Sequence, residues 1–188
     1  MLFEVALAIL GIAVQLFLLI TAADFIGGLF HWAEDTLGSE DTPIWGPVFV
    51  RPSSRHHDEP THILNVPLLR GTSIVLCAVA VVLPAAWLLG VLTWQLVTFA
   101  LLAGLNDQAH RLEHTPTRNL PRAVRFLRRM HILQDARHHW QHHKAPHTSH
   151  YCVLTPWLNP VLDGLGFWRG MEKIFVPILG APRRPDLH

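Results

Sequence analysis

Residues 71–105 read GTSIVLCAVAVVLPAAWLLGVLTWQLVTFALLAGL, and no charged side chain interrupts them. As a single helix this stretch would be about 52 Å long, against a hydrocarbon core of roughly 30 Å. Two shorter helices turning near Gly90 fit a bilayer better, and Pro84 is tolerable inside a membrane helix. Towards the N-terminus, Leu2 to Phe30 forms another apolar run, broken only by Glu4, Gln15 and Asp24. A signal peptide is the competing reading, with Thr21-Ala22-Ala23 as a weak cleavage site. Such a leader carries a positive n-region, whereas this one has Glu4 and neither Lys nor Arg. The pattern predicts three transmembrane helices, about residues 2–30, 71–89 and 91–106.

Composition points the same way. Hydrophobic residues make up 50% of the 188 and charged residues 15%, against roughly 25% charged in ordinary soluble domains. The net charge of +1 excludes the global basicity expected of a nucleic-acid binder. Cys77 and Cys152 alone exclude a disulfide framework or a thiolate zinc site. The length suits a single membrane-embedded domain over 1–188.

Three spans would leave segments 31–70 and 107–180 on one side of the membrane. Every Lys and Arg falls on that side of the hairpin, from Arg51, Arg55 and Arg70 to the run between Arg111 and Arg184. The positive-inside rule then makes both segments cytoplasmic and the N-terminus external. After Pro121, the residues Arg122, Arg125, Arg128 and Arg129 alternate with Val124, Phe126, Leu127 and Met130. That pattern is a helix with one basic and one apolar face. Residues 153–179 are apolar but broken by Pro156, Gly164, Gly166 and Gly170, which reads as interfacial. The tail 181–188 is expected to be disordered. The fold expected is an all-α integral membrane protein whose interfacial and cytoplasmic helices carry a histidine-rich metal site.

Thirteen of the fourteen histidines lie in those two polar segments, and His188 lies in the tail that follows. His31 and Asp35 follow the first span four residues apart, so on a continuing helix they share a face and can grip one ion. Asp24 and Gly28 lie on that face too, and a carboxylate at a membrane edge is costly enough to suggest a role. Gly27 and Gly28 read more simply as a helix-packing surface. At the end of the last span His110 and His114 repeat the i, i+4 spacing. Asn106 lies one turn earlier, where it could orient a ligand from behind, as could Asp24. The densest cluster is His138-His139-Trp140-Gln141-His142-His143, followed by His147 and His150. Arg55-His56-His57 and His62 complete the set.

The number of candidates decides the metal class. His31, Asp35, His57, His110, His114, His139, His142 and His143 are available before His56, His138 and His147 are considered. A structural or hydrolytic zinc needs four positions, so this set suits two metal ions. Nitrogen and oxygen ligands without thiolate leave iron, zinc, copper and nickel open.

Several motifs together resemble one known family. They are Asp24-Phe25-x-x-Gly28-x-x-His31-Trp32-x-x-Asp35-Thr36-x-Gly38, then Arg51-Pro52-x-x-x-His56-His57-x-x-Pro60, then Asn106-x-x-x-His110-x-x-x-His114. The C-terminal match is the densest, with His138-His139-x-x-His142-His143-x-x-Pro146-His147, Tyr151-Cys152, Trp157-Leu158-Asn159, Leu162 and Gly166-Phe167-Trp168-Arg169. These blocks, covering most of residues 24–172, resemble the plasmanylethanolamine desaturase family, also called Kua or CarF-type lipid desaturases. The chain departs from the pattern at Arg128-Arg129-Met130, where the family has a Gln-Asp-Trp run. The loop 58–70 is also shorter than in animal members.

The resemblance implies a histidine-ligated di-iron enzyme, cycling between Fe2+ and Fe3+, that uses O2 and electrons to dehydrogenate a lipid chain. Its best-known activity forms the vinyl ether bond of a plasmalogen from an alkyl ether phospholipid; plant relatives desaturate an acyl chain on phosphatidylglycerol. Carried over by position, the eight residues above become core ligands, with His56, His138 and His147 as further candidates. No flavin, nicotinamide or haem motif is evident, so electrons are expected from a cytochrome b5-like or ferredoxin-like partner. Arg122, Arg125, Arg128 and Arg129 are candidates for the lipid phosphate, and positive-inside anchoring explains them equally well. A multi-pass protein of a bacterial inner membrane, its site facing the cytoplasm, is the expected setting. The rival readings are a lipid hydroxylase on the same centre and a zinc-dependent membrane hydrolase or metal-handling protein. Transport is disfavoured, because transporter ligands sit near the bilayer midplane and these sit at helix ends.

Overall fold

A computed structural model describes residues 1–68 and 72–179, which are helix and loop with no strand among them. Arg70, Gly71, Arg184 and the tail 181–188 lie outside the described residues. Helix α1 covers Leu2–Thr36, ending where Leu37 turns extended. It continues past the apolar run, so His31 and Asp35 project from its last turns. A π-helical turn, Gly46–Val50, leads into α2, Arg51–Asp58, and a 3-10 turn, Pro60–Asn65, follows.

Helices α3, Ser73–Leu88, and α4, Trp94–Gly104, form the apolar hairpin. Gly90 turns it with φ +71, a left-handed conformation that suits glycine. The Thr93 hydroxyl caps α4 by accepting from the Leu96 N–H. After Leu105 alone comes α5, Asn106–His114. Then follow α6, Arg122–Arg129, α7, Ala136–His139, α8, Leu158–Gly164, and α9, Phe167–Leu179. Asp135 caps α7 by accepting from the His138 N–H.

Among the described residues one helix, α1, is long and apolar enough to cross a membrane. With 16 and 11 residues, α3 and α4 are shorter; at 1.5 Å per residue they reach about 24 and 16 Å, short of a core of roughly 30 Å. The uncharged run is thus the hairpin of two short arms read from hydropathy, turning at Gly90, beside one helix of spanning length among the described residues. The turn after Leu88 falls at the expected place, and α4 is the shorter arm because it begins at Trp94. A hairpin still returns the chain to the side it left, which brings residues 31–68 and 106–179 together.

Helix α4 runs alongside α1 in the same direction. Gln95 Nε2 donates to Gln15 Oε1 at 2.8 Å, and further along Asn106 Nδ2 donates to the Ala23 carbonyl at 3.3 Å. Gly27 and Gly28 are close-approach positions: a Cβ on Gly27 would stand 2.1 Å from Asn106 Oδ1, and one on Gly28 2.6 Å from Cys152 Sγ. Below them Trp32, Tyr151, Cys152, Leu162 and Trp168 form the main apolar core, which fixes the C-terminal segment against α1.

Candidate metal centre

Four pieces of chain meet at the C-terminal end of α1. The helix itself brings His31 and Asp35, α2 brings His56 and His57, and α5 brings His110 and His114. His139 comes from α7, with His142 and His143 from the turn after it. These nine residues fall into two adjacent groups, and within each the candidate ligand atoms lie within 4.8 Å of one another.

The first group holds His56, His110, His114, His139 and His143. His139 Nε2 lies 3.0 Å from His110 Nε2, 3.0 Å from His114 Nε2 and 3.1 Å from His143 Nε2. The His56 ring stands edge-on to His110 and His114 at 4.6 Å, and both of its nitrogens are buried without a partner. Burial, then the neighbouring imidazoles, pushes His56 down to about 2 and His114 to about 4. The same causes hold His110, His139 and His143 well below the ordinary range. At neutral pH these rings are uncharged, and His139 Nε2, with one proton or one lone pair to offer, faces three ring nitrogens at once. A cation resolves that conflict: with metal–nitrogen bonds of roughly 2.1 Å, ligand atoms at right angles stand about 3 Å apart.

The second group holds His31, Asp35, His57 and His142. Asp35 Oδ2 lies 3.0 Å from His57 Nε2, 3.1 Å from His142 Nε2 and 3.7 Å from His31 Nε2. The tautomers of two rings follow from their other nitrogens. His31 Nδ1 donates to the Tyr151 carbonyl at 3.0 Å, and His142 Nδ1 donates to the Ser149 carbonyl at 2.9 Å. Their Nε2 lone pairs therefore face the carboxylate, the usual backing of a metal-bound imidazole. Ser53 Oγ donates to Asp35 Oδ1 and fixes the second oxygen. The two groups touch, His31 and His110 having ring centroids 5.1 Å apart.

Four predicted positions lie elsewhere. His138 turns away, its Nε2 3.2 Å from Asn159 Nδ2 and its ring 5.0 Å from that of His150. His147 packs 4.7 Å from the His57 ring but outside both groups, its Nδ1 donating to the His142 carbonyl. Asp24, expected to orient a ligand, accepts instead from the Leu154 and Thr155 N–H groups and the Thr155 hydroxyl, at 2.8, 3.0 and 2.7 Å. It anchors the segment that crosses α1, whose amides need an acceptor in an apolar setting. Asn106 likewise donates to the carbonyls of Ala23, Leu102 and Ala103, tying helices together rather than reaching a histidine.

Of the four arginines on α6, Arg122, Arg125 and Arg129 are exposed. Arg128 faces inward, its Nε and Nη2 buried. Arg128 is thus half-buried, unlike the other three headgroup candidates on this helix. Two supporting residues escaped the sequence reading. Ser53 lies close to the Pro52 and His56 motif positions, and Glu113 lies between His110 and His114, with its carboxylate Oε2 3.2 Å from His139 Nδ1.

The family model described as a lipid desaturase domain matches residues 20–186. The chain is 35% identical over 177 residues to plasmanylethanolamine desaturase 1 of Mus musculus, covering 87% of this chain and 65% of that protein. A probable fatty acid desaturase of Acanthamoeba polyphaga mimivirus is 31% identical, with 95% of this chain and 89% of the viral protein covered. The plasmanylethanolamine desaturase of Myxococcus xanthus is 28% identical, with 88% and 61% covered. The chain thus spans less than two thirds of the mouse and Myxococcus proteins. No solved structure matches the chain.

Proposed function

The chain belongs to the lipid desaturase family, and from that premise we propose that it is a membrane-bound, O2-dependent lipid desaturase working through two iron ions. The observation that carries this reading is the convergence of nine imidazole and carboxylate side chains in two touching groups, five and four strong. When bound, a pair of irons supplies the redox chemistry that activates O2 and removes hydrogen from an unactivated C–H bond.

The chain's own residues do the rest. His56, His110, His114, His139 and His143 hold one ion; His31, Asp35, His57 and His142 hold the other. The carbonyls of Tyr151 and Ser149 keep the Nδ1 protons of His31 and His142, so both rings offer Nε2. Asp35 contributes the negative charge that a set of neutral imidazoles lacks. Tyr151 and Trp168, both buried, close the site from the α9 side and exclude water. The exposed apolar surfaces of α1 and the hairpin lead from the bilayer to this end and guide a lipid tail to it.

The substrate favoured is an alkyl ether phospholipid, converted to the vinyl ether of a plasmalogen, with a phospholipid acyl chain as the other substrate class. The exposed Arg122, Arg125 and Arg129 on α6 face solvent where a lipid phosphate would approach, and charge-assisted bonds suit that contact. Electrons come from a cytochrome b5-like or ferredoxin-like donor. The setting that fits is an inner membrane of a bacterium, with the helix crossing it and the histidine groups on the cytoplasmic side.

The test is turnover in vesicles holding the full chain, iron, O2, a reduced donor and an alkyl ether phospholipid. The reading predicts a product that releases an aldehyde on mild acid treatment, as a vinyl ether does. A hydroxylated chain would assign the sister reaction, and unchanged ether and acyl lipids with iron bound would overturn desaturation.

A further inference from the structure

Behind the five-histidine group lies a buried polar relay that the site as described does not use. Glu113 is 4% exposed, and its Oε2 sits 3.2 Å from His139 Nδ1, off the line of a straight hydrogen bond. On its other side, Glu113 shares a small cavity with Gln134 and Arg128, walled by Leu112, Val124 and Leu154. Gln134 is oriented there, because its Oε1 accepts from Asn159 Nδ2 at 3.1 Å and its amide nitrogen is left to face the cavity. Arg128 enters from α6 with Nε and Nη2 buried and without a hydrogen bond, facing the acidic groups of Glu113 and Asp135. A buried carboxylate against an uncharged imidazole is costly unless a cation faces it, and Arg128 is the guanidinium lining the same cavity.

We propose that Glu113 is a positioning residue: it holds the His139 Nδ1–H, so that Nε2 faces the five-histidine group, and Arg128 holds Glu113 in place. This rests on the reading of that group as a metal site. An imidazole has one proton to place when neutral, and a carboxylate beside Nδ1 decides that the other nitrogen is the ligand. His139 is the ring on which the other three Nε2 atoms converge, so its tautomer governs the geometry of the whole group. Arg128 thereby has a role apart from the exposed arginines of its own helix, and it ties α6 to the centre.

The full-length protein, purified in detergent and stripped of metal, is titrated with Co2+ alone, and the visible absorption of the bound ion is recorded beside thermal unfolding. Glu113→Gln is expected to weaken one of the Co2+ sites about 10–100-fold and to shift its absorption bands. Arg128→Met should weaken the same site less, Arg128→Lys should restore it, and the exposed Arg118→Met should leave both sites as they are. Wild-type affinity and spectrum in Glu113→Gln would overturn the proposal, as would equal loss in Arg118→Met. If Glu113→Gln does not fold, the Arg128→Met and Arg128→Lys pair decides, and an unchanged spectrum in Arg128→Met would overturn it. Wild-type protein that binds no Co2+ would refute the metal-site reading itself, a different result from wild-type binding with unaltered variants.

Discussion

Protonation links the histidine groups to their surroundings. In the unfolded chain a histidine takes up its proton near pH 6.5, whereas folded His114 and His56 stay neutral down to about 4 and about 2. Between those values the unfolded state binds more protons, so stability is full above about pH 6.5 and falls as the pH drops towards 4. Metal binding, which needs the same neutral rings, declines over the same window. The account predicts a lower unfolding midpoint and faster metal loss at pH 5 than at pH 7.5, read by scanning calorimetry and metal release to a chelator. A flat profile across that range would contradict the buried, neutral set. Asp24 is the second test at this scale. Asp24→Ala strands three buried donors at Leu154 and Thr155, and each unsatisfied group costs about 1–3 kcal/mol. A large fall in the unfolding midpoint is expected, while Asp24→Ala protein that still folds should keep its metal; metal loss without lost stability would return Asp24 to the site.

At the scale of elements, the hydrogen-bonded Gln15–Gln95 pair sets the register of α4 on α1. Converting either glutamine to Leu removes the interhelical bond and leaves one amide group of its partner without it in an apolar setting, and the double change removes both side chains. A double-mutant cycle should give a coupling of about 0.6 kcal/mol, the typical size for such pairs in membrane helices; additive effects would show that the bond does not hold the register. The helix spacing made most of the site legible: i, i+4 pairs at the ends of apolar runs, such as His31 with Asp35 and His110 with His114, sit together as read. Legibility failed where a role depends on a distant partner. Asp24 meets residues 130 and 131 positions away, and His139 meets Glu113 across 26; spacing within one helix carries no trace of either contact. Adjacent histidines failed for a local reason. On α7 neighbouring side chains point to different sides, so His139 enters the group while His138 turns to Asn159. The hairpin was legible in the uncharged run, turning at Gly90 as read, and its second arm is shorter only because α4 begins at Trp94.

For the whole molecule, one long apolar helix, an apolar hairpin and a histidine-rich end are the features on which the proposed lipid chemistry draws. The topology proposed from the placement of Lys and Arg predicts that a reporter fused at Met1 reads external; a cytoplasmic signal would invert the orientation. The central claim is that the two groups of ligands are two metal sites of one redox centre. Iron per chain, measured by elemental analysis on protein purified without added metal or chelator, tests it most directly when His110→Ala and His142→Ala are run alongside, because each removes a ligand from a different group. The account predicts about two irons in the wild type and about one or fewer in each variant. A single metal per chain, stoichiometric zinc that iron does not replace, or iron content unchanged in both variants would contradict it.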